Sequence, residues 1–232
     1  SHILGKAPKQ NAAAVKGKGP ITGARKKIMF NDGTAEDKVN ALVEALKKEG
    51  FDFTVGIDMN TPVAEADRVV SAGKGIGDRK NMKLIEDLAI QAGAAVGSSR
   101  PVAETLKYLP LDRYVGMSGQ KFNGNLYIAC GISGAGQHLK GIRGATTIVA
   151  INKNRNAPIF KNADYGIVGD LMEILPLLTK ALDNGEPKKP APPMVKMRKA
   201  TPKKEAPPWS INVCPGCGYE YDPETGDPEG GI

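Results

Sequence analysis

Several things are scarce in this 232-residue sequence, and each scarcity excludes a class of protein. Three cysteines, two of them in Cys214-Pro-Gly-Cys217, are too few for a disulfide framework. No apolar run approaches the roughly 18 residues that a membrane-spanning helix needs. No apolar signal-peptide core follows the N-terminus, so the expected compartment is cytoplasmic, and Ser1-His2 reads as a scar of tag removal. A strong charge of one sign is missing from the body. The formal +7 belongs to the ends: residues 1–27 carry seven Lys/Arg and no acid, 183–208 carry seven bases against three acids, and 209–232 carry five acids and no base. The body is left near +1, which argues against a nucleic-acid footprint on the folded core.

What is present is a clear alternation of short apolar strands and amphipathic helices. Residues 1–24, rich in Lys, Gly and Ala, lack apolar periodicity and read as a flexible basic segment. Residues 25–64 read as a small β-α-β-like unit: a strand over Lys27–Phe30, a helix over Ala35–Glu49 with Val39, Leu42, Val43 and Leu46 on one face, Gly50 at its end, and a strand over Phe51–Ile57. Beyond it, strands are expected over Asp67–Ala72, Ala94–Gly97, Asn125–Cys130, Thr146–Ile151 and Asp164–Val168. Helices are expected over Asn81–Ala92, from Pro101, from the turn before His138, and over Asp170–Leu182. This pattern predicts an α/β, Rossmann-like parallel sheet with helices on both faces. Residues 183–208, with seven prolines, read as an extended linker.

In such sheets ligands bind at the carboxyl ends of the strands. Leu126-Tyr-Ile-Ala-Cys-Gly-Ile-Ser-Gly-Ala-Gly-Gln-His-Leu139 runs a strand into a small-residue turn and then a helix start, delivering Ser133, Gln137 and His138 to that end. Gly134, Ala135 and Gly136 let an anion approach the backbone. Gly73-Lys-Gly-Ile-Gly77 follows another strand and is either a phosphate-cradling turn, with Lys74 as a point charge, or a simple tight turn. Ser98-Ser99-Arg100 ends a third strand, and Arg100 is either a ligand-facing charge or half of a surface salt bridge. Ser118 lies in a turn, while His138, one of two histidines, is either structural or a ligand contact. Cys130 reads as a small buried hydrophobe.

Ala66-Asp-Arg-Val-Val-Ser-Ala-Gly-Lys-Gly, Ala95-Val-Gly-Ser-Ser-Arg-Pro, Tyr127 to Leu139, Thr147-Ile-Val-Ala-Ile-Asn152, Ala157-Pro-Ile-Phe160 and Ala163-Asp-Tyr-Gly-Ile-Val-Gly-Asp170 occur in order, and they resemble the C-terminal FAD-binding domain of the electron-transfer flavoprotein alpha subunit. The resemblance implies an FAD-binding domain over 65–182 that carries electrons rather than an enzyme with its own substrate. It implies no catalytic acid, base or nucleophile. By that resemblance Arg100 would face the isoalloxazine and favour its reduced, anionic forms, Ser118 would reach N5, and His138 would lie by O2. Ser99, Ser133 and Gln137 would serve the ribityl and pyrophosphate region, Val115, Gly116 and Met117 would line the pocket, and Asn152 and Asp170 would hold the adenosine end. The implied partners are a beta-type subunit and an acyl-CoA or other dehydrogenase. Lys74 stands where the family commonly has Arg, and residues 25–64 are shorter than the family's N-terminal domain. Tyr-Ile-Ala-Cys-Gly-Ile-Ser-Gly also resembles anaerobic members, electron-bifurcating ones included.

Cys214-Pro-Gly-Cys-Gly-Tyr-Glu-Tyr-Asp-Pro-Glu-Thr-Gly-Asp-Pro-Glu-Gly-Gly-Ile232 resembles the first half of rubredoxin. Residues 209–232 thus read as an incomplete rubredoxin-like knuckle. Cys214 and Cys217 would be half of a rubredoxin-type iron site, and iron would be held only with a second knuckle. The sequence reads as a piece of a longer fusion. Two other functional classes stand beside the carrier: an NAD-using Rossmann-like enzyme, for which His138 is the available acid–base group, and a nucleotide-dependent scaffold with basic arms.

Overall fold

The computed structural model describes residues 25–183 and 185, and the backbone of 212–213 and 220–221. The chain divides into two units, Ser1–Ala191 and Pro192–Ile232. Within the first, six strands form one sheet: β1 (Ile28–Phe30), β2 (Arg68–Ala72), β3 (Ala95–Ser98), β4 (Leu126–Cys130), β5 (Thr147–Asn152) and β6 (Tyr165–Val168). Their spatial order is β1-β6-β5-β4-β2-β3, and every pairing is parallel. The helices are α1 (Ala35–Lys48), α2 (Met82–Ala92), α3 (Gly136–Gly141) and α4 (Leu171–Leu182). This is an α/β, Rossmann-like fold. Among the described residues no helix is long and apolar enough to cross a membrane.

A parallel strand covered on both faces must be apolar on both, and β4 shows how that surface is divided. Leu126, Ile128 and Cys130 join the core beneath α1, α2 and α4, while Tyr127 and Ala129 face the opposite core. Val149 and Ile151 of β5 likewise oppose Ile148 and Ala150. The first face is roofed by the long helices. The second is closed by Val63, Val115, Phe122, Ile132 and Ile159 from loops and by Ile142 just after α3.

The 25–64 stretch is not a β-α-β unit of its own. Its strand β1 pairs with β6 at the edge of the common sheet, and α1 packs beside α4. A capping box starts α1: Thr34 accepts from the Asp37 amide while Asp37 accepts from the Thr34 amide. The alternation Phe51, Phe53, Val55 makes no strand of the sheet. Instead the Arg68 guanidinium lies over the Phe51 and Phe53 rings, 5.8 and 5.3 Å from their centroids, and donates to the Asp52 carbonyl. The helix expected from Pro101 is a single wide turn over Pro101–Thr105, closed by the Leu106 amide donating to the Pro101 carbonyl. Such π-type turns recur at functional sites.

The expected flexible segment 1–24 and most of the linker 183–208 lie outside the described residues, as do Cys214 and Cys217. In the second unit, β7 (Asn212–Val213) and β8 (Glu220–Tyr221) pair antiparallel.

Arg25 fastens the start of the described chain to the sheet. It donates to Asp164 Oδ2 at 2.8 Å and to the Thr146 and Ala145 carbonyls, while Asp164 also accepts from the Ile148 amide. With Asp164 buried, removing one partner strands the other charge, at a cost of about 3 kcal/mol. Asp164→Ala should lower the unfolding free energy by that amount in urea titrations, with little change in the slope.

Candidate functional site

From β2 the chain moves outward to β3, then returns past β2 to β4 and continues to β5 and β6. The direction therefore reverses between β2 and β4, and the crevice at such a switch point is where open α/β sheets bind ligands. Here the turns after β2 and β4 lie backbone against backbone. The Gly73 amide donates to the Cys130 carbonyl at 2.7 Å, and the Gly75 amide to the Gly131 carbonyl at 3.1 Å. A Cβ on Gly73 would stand 2.2 Å from the Gly131 oxygen. Gly131 itself has φ +67°, and a Cβ there would meet Gly75 Cα at 2.9 Å. The glycines at 73 and 131 are thus fixed by contact and by backbone conformation.

Above this crossing opens a cleft of about 610 Å³, within the usual range of small-molecule sites. Lys74 enters from the turn after β2, and Ser99 and Arg100 from the end of β3. Val115, Gly116, Met117 and Ser118 form one wall, and Ser133, Ala135, Gln137 and His138 come from the segment after β4. Asn152 closes the floor from β5. Gly134, Gly136 and Asp170 do not line the cleft. Gly134 has φ +87° and sits against Ile159, whose amide donates to the Ser133 carbonyl. A Cβ on Gly136 would meet nothing within 4 Å. Asp170 caps α4 by accepting from the Met172 amide at 2.7 Å.

Hydrogen bonds already commit several of these side chains. Asn152 donates to the Ile132 carbonyl and accepts from the Asn154 amide, so it cross-links the turns after β4 and β5. Ser118 Oγ lies 2.7 Å from the Tyr114 hydroxyl. Arg100 is 61% exposed and meets Glu104 through two nitrogens, at 2.5 and 2.9 Å; hydrogen bonding to that carboxylate raises the guanidinium pKa further. His138 is the opposite case. Only 6% exposed, its imidazole is pushed down to about 4 by burial, with a Val115 carbonyl opposing the shift, and it is neutral at neutral pH. Its Nε2 is 3.0 Å from the Tyr127 hydroxyl, and its buried Nδ1 has no hydrogen-bond partner.

Sequence reasoning missed Gly75, Pro101, Tyr114, Gly131 and Ile132 as cleft residues, and Tyr127 as the partner of His138. The two glycines stood inside motifs already singled out, so their signal was available. Tyr114 carries none: its ring is placed by Gly119, where a Cβ would stand 2.4 Å from Tyr114 Cε2. Cys130 is fully buried, and burial raises its thiol pKa.

A histidine kept neutral by burial makes folding pH-dependent. Between the ordinary value of 6.5 and about 4, the unfolded chain takes up the proton and the folded chain does not. This contribution is fully present above pH 6.5 and is lost as pH falls towards 4, a change on the order of 3 kcal/mol. Chemical denaturation of the wild type and His138→Gln at pH 7 and pH 4.5 should show a smaller acid-side loss in the variant.

Residues 62–143 match the sequence model of the family described as "Electron transfer flavoprotein FAD-binding domain". The match runs from the loop before β2 through α3 and contains every cleft residue except Asn152. "Protein FixB" of Salmonella typhimurium strain LT2 is 54% identical over 114 residues, which are 49% of this chain and 36% of that protein. "Protein FixB" of Escherichia coli strain K12 gives the same identity and coverage. The chain thus spans about a third of the length of the curated relatives it matches, and the part that matches the family model carries the crevice and nearly all of its lining.

Proposed function

We propose that this chain is an FAD-binding electron-transfer module of the electron-transfer flavoprotein alpha-subunit type. The observation that carries the reading is the convergence of Arg100, Ser118, Gln137 and His138 on one switch-point cleft inside the matched region. The residues fit the cofactor on three counts. The crossing at Gly73 and Gly131 keeps side chains away from the backbone where a pyrophosphate would approach. The buried Nδ1 of His138, which makes no hydrogen bond of normal geometry, supplies a polar atom whose bonding a ligand could complete. The lining mixes apolar side chains with a few convergent polar groups, as cofactor sites do.

Bound FAD would accept and release electrons through its isoalloxazine ring, and the protein binds, orients and tunes it. Arg100 supplies fixed positive charge, partly offset by Glu104. Ser118 presents a hydroxyl oriented by Tyr114, and neutral His138 presents a ring nitrogen without adding charge. Lys74, Ser99, Ser133 and Gln137 serve the phosphate and ribityl side. Asn152 and Asp170 act at the adenosine end through the turns they brace. The partners that follow are a beta-type subunit and a dehydrogenase. In a longer parent chain, Cys214 and Cys217 would supply two of four thiolates to a rubredoxin-type iron site receiving electrons from the flavin.

The test is cofactor retention. The purified chain should keep FAD through gel filtration, with flavin absorbance co-eluting, and should not keep NAD under the same conditions. With FAD bound, Arg100→Met should lower the reduction potential, because fixed positive charge favours the electron-rich form. Retention of NAD with rejection of FAD would overturn the proposal in favour of the Rossmann-enzyme reading.

A further inference from the structure

Tyr114 and Ser118 both line the cleft, and they belong to one short loop. Its stem continues the sheet. The Val115 amide donates to the Ser98 carbonyl at 2.8 Å, and Tyr114 pairs with Ser98 as a parallel bridge on the edge of β3. The loop then closes on itself. The Gln120 amide donates to the Tyr114 carbonyl at 2.9 Å, and the Gly116 amide donates to the Gln120 carbonyl at 3.2 Å. The Met117 amide donates to the Gln137 carbonyl at 2.8 Å, and the Gly119 amide to the Gly116 carbonyl at 3.2 Å. The backbone on either side of Ser118 is thereby fixed by the protein itself.

These backbone bonds leave the serine side chain undetermined. Ser118 is exposed, and an exposed hydroxyl has three staggered wells among which only its contacts choose. Its Oγ lies 2.7 Å from the Tyr114 hydroxyl. The tyrosine can hold that place because its own ring is held. A Cβ on Gly119 would stand 2.4 Å from Tyr114 Cε2 and 2.6 Å from Cζ, and one on Gly116 would stand 3.4 Å from Cε2. The ring thus packs on the bare backbone of the loop it spans, and its hydroxyl ends at the loop's serine. Either oxygen can be the donor, and the constraint on Oγ is the same in both cases.

We propose that Tyr114 is a positioning residue: a strut across residues 114–120 that selects one rotamer of Ser118 and presents its hydroxyl to the cleft before a ligand binds. Only the identity of the group that this hydroxyl meets rests on the flavin reading; the rotamer is a property of the protein alone. Preorganisation of this kind spares the ligand the cost of ordering the side chain. One hydrogen bond of ordinary strength favours the chosen rotamer roughly fivefold over each alternative.

Serine-selective labelling, with Ser118→Ala to assign the signal, gives the couplings between the α and β protons of Ser118. In the ligand-free protein they should report one dominant rotamer. In Tyr114→Phe, which keeps the ring and removes its oxygen, they should report a mixture. Averaged couplings in the wild type would overturn the proposal, as would a single rotamer in the variant. Should that variant not fold, the wild-type couplings decide alone. A second readout separates positioning from packing. FAD dissociation constants of the wild type, Tyr114→Phe, Ser118→Ala and the double variant form a cycle. Tyr114→Phe should weaken FAD binding up to about fivefold when Ser118 is present and have no further effect once it is replaced. An equal change in both backgrounds, zero included, rejects the proposal. A single rotamer that is lost in Tyr114→Phe, in a protein that takes up no FAD, sinks the flavin reading and leaves this one standing.

Discussion

The site depends on one contact between two main chains. The turns leaving β2 and β4 touch with no side chain between them, because the strands are neighbours and both turns bend towards the same crevice. Any Cβ at Gly73 would part them. Once they are closed, the other pieces have little freedom. Ser99 continues from β3 with its amide bound to the Ala72 carbonyl, the Val115 amide pairs with the Ser98 carbonyl, and the Met117 amide with the Gln137 carbonyl. The cleft wall is thus an extension of the sheet's own hydrogen bonding rather than a set of independent loops. A site built this way places its polar side chains by backbone geometry, which suits a cofactor that needs orientation more than acid–base chemistry.

The electrostatics divide into an outer and an inner group. Arg100 is exposed and shares its charge with Glu104, so its field at the cleft is the field of an ion pair with one end nearer. His138 is buried, neutral and held by a buried phenol. Burying an unpaired cation would cost several kcal/mol, whereas burying a neutral ring with one hydrogen bond does not. At the cleft, the full charge of Arg100 thus stays at the rim and the neutral His138 ring lies inside.

How much of this could be read from the sequence follows from which contacts are local. The strands β2 to β6 and the helices α1, α2 and α4 announced themselves through apolar runs and 3.6-residue periodicity, because parallel strands are apolar on both faces. The turn after β4 was legible through its glycines, and with it Ser133, Gln137 and His138. The place of β1 was not legible: three residues carry no information about a partner far along the chain. Phe51 and Phe53 mimicked a strand because stacking on Arg68 also selects every second residue. Tyr114 and Tyr127 were hidden for a related reason. One is placed by the absence of a side chain at Gly119, and the other looked like any core aromatic until its hydroxyl was found beside His138.

Parallel pairing throughout the sheet has a consequence for how the chain is made. A sheet without hairpins forms each ladder by closing a long loop, and the Arg25–Asp164 clasp beside the β1–β6 ladder spans 139 residues. Loop length weighs lightly on equilibrium stability because its entropy grows only logarithmically, but it weighs heavily on the rate of folding. At ribosomal speed, β1 waits roughly 10–30 s for its partner strand to be synthesised. Its three-residue length is then protective, since so short an edge offers a poor template to neighbouring nascent chains.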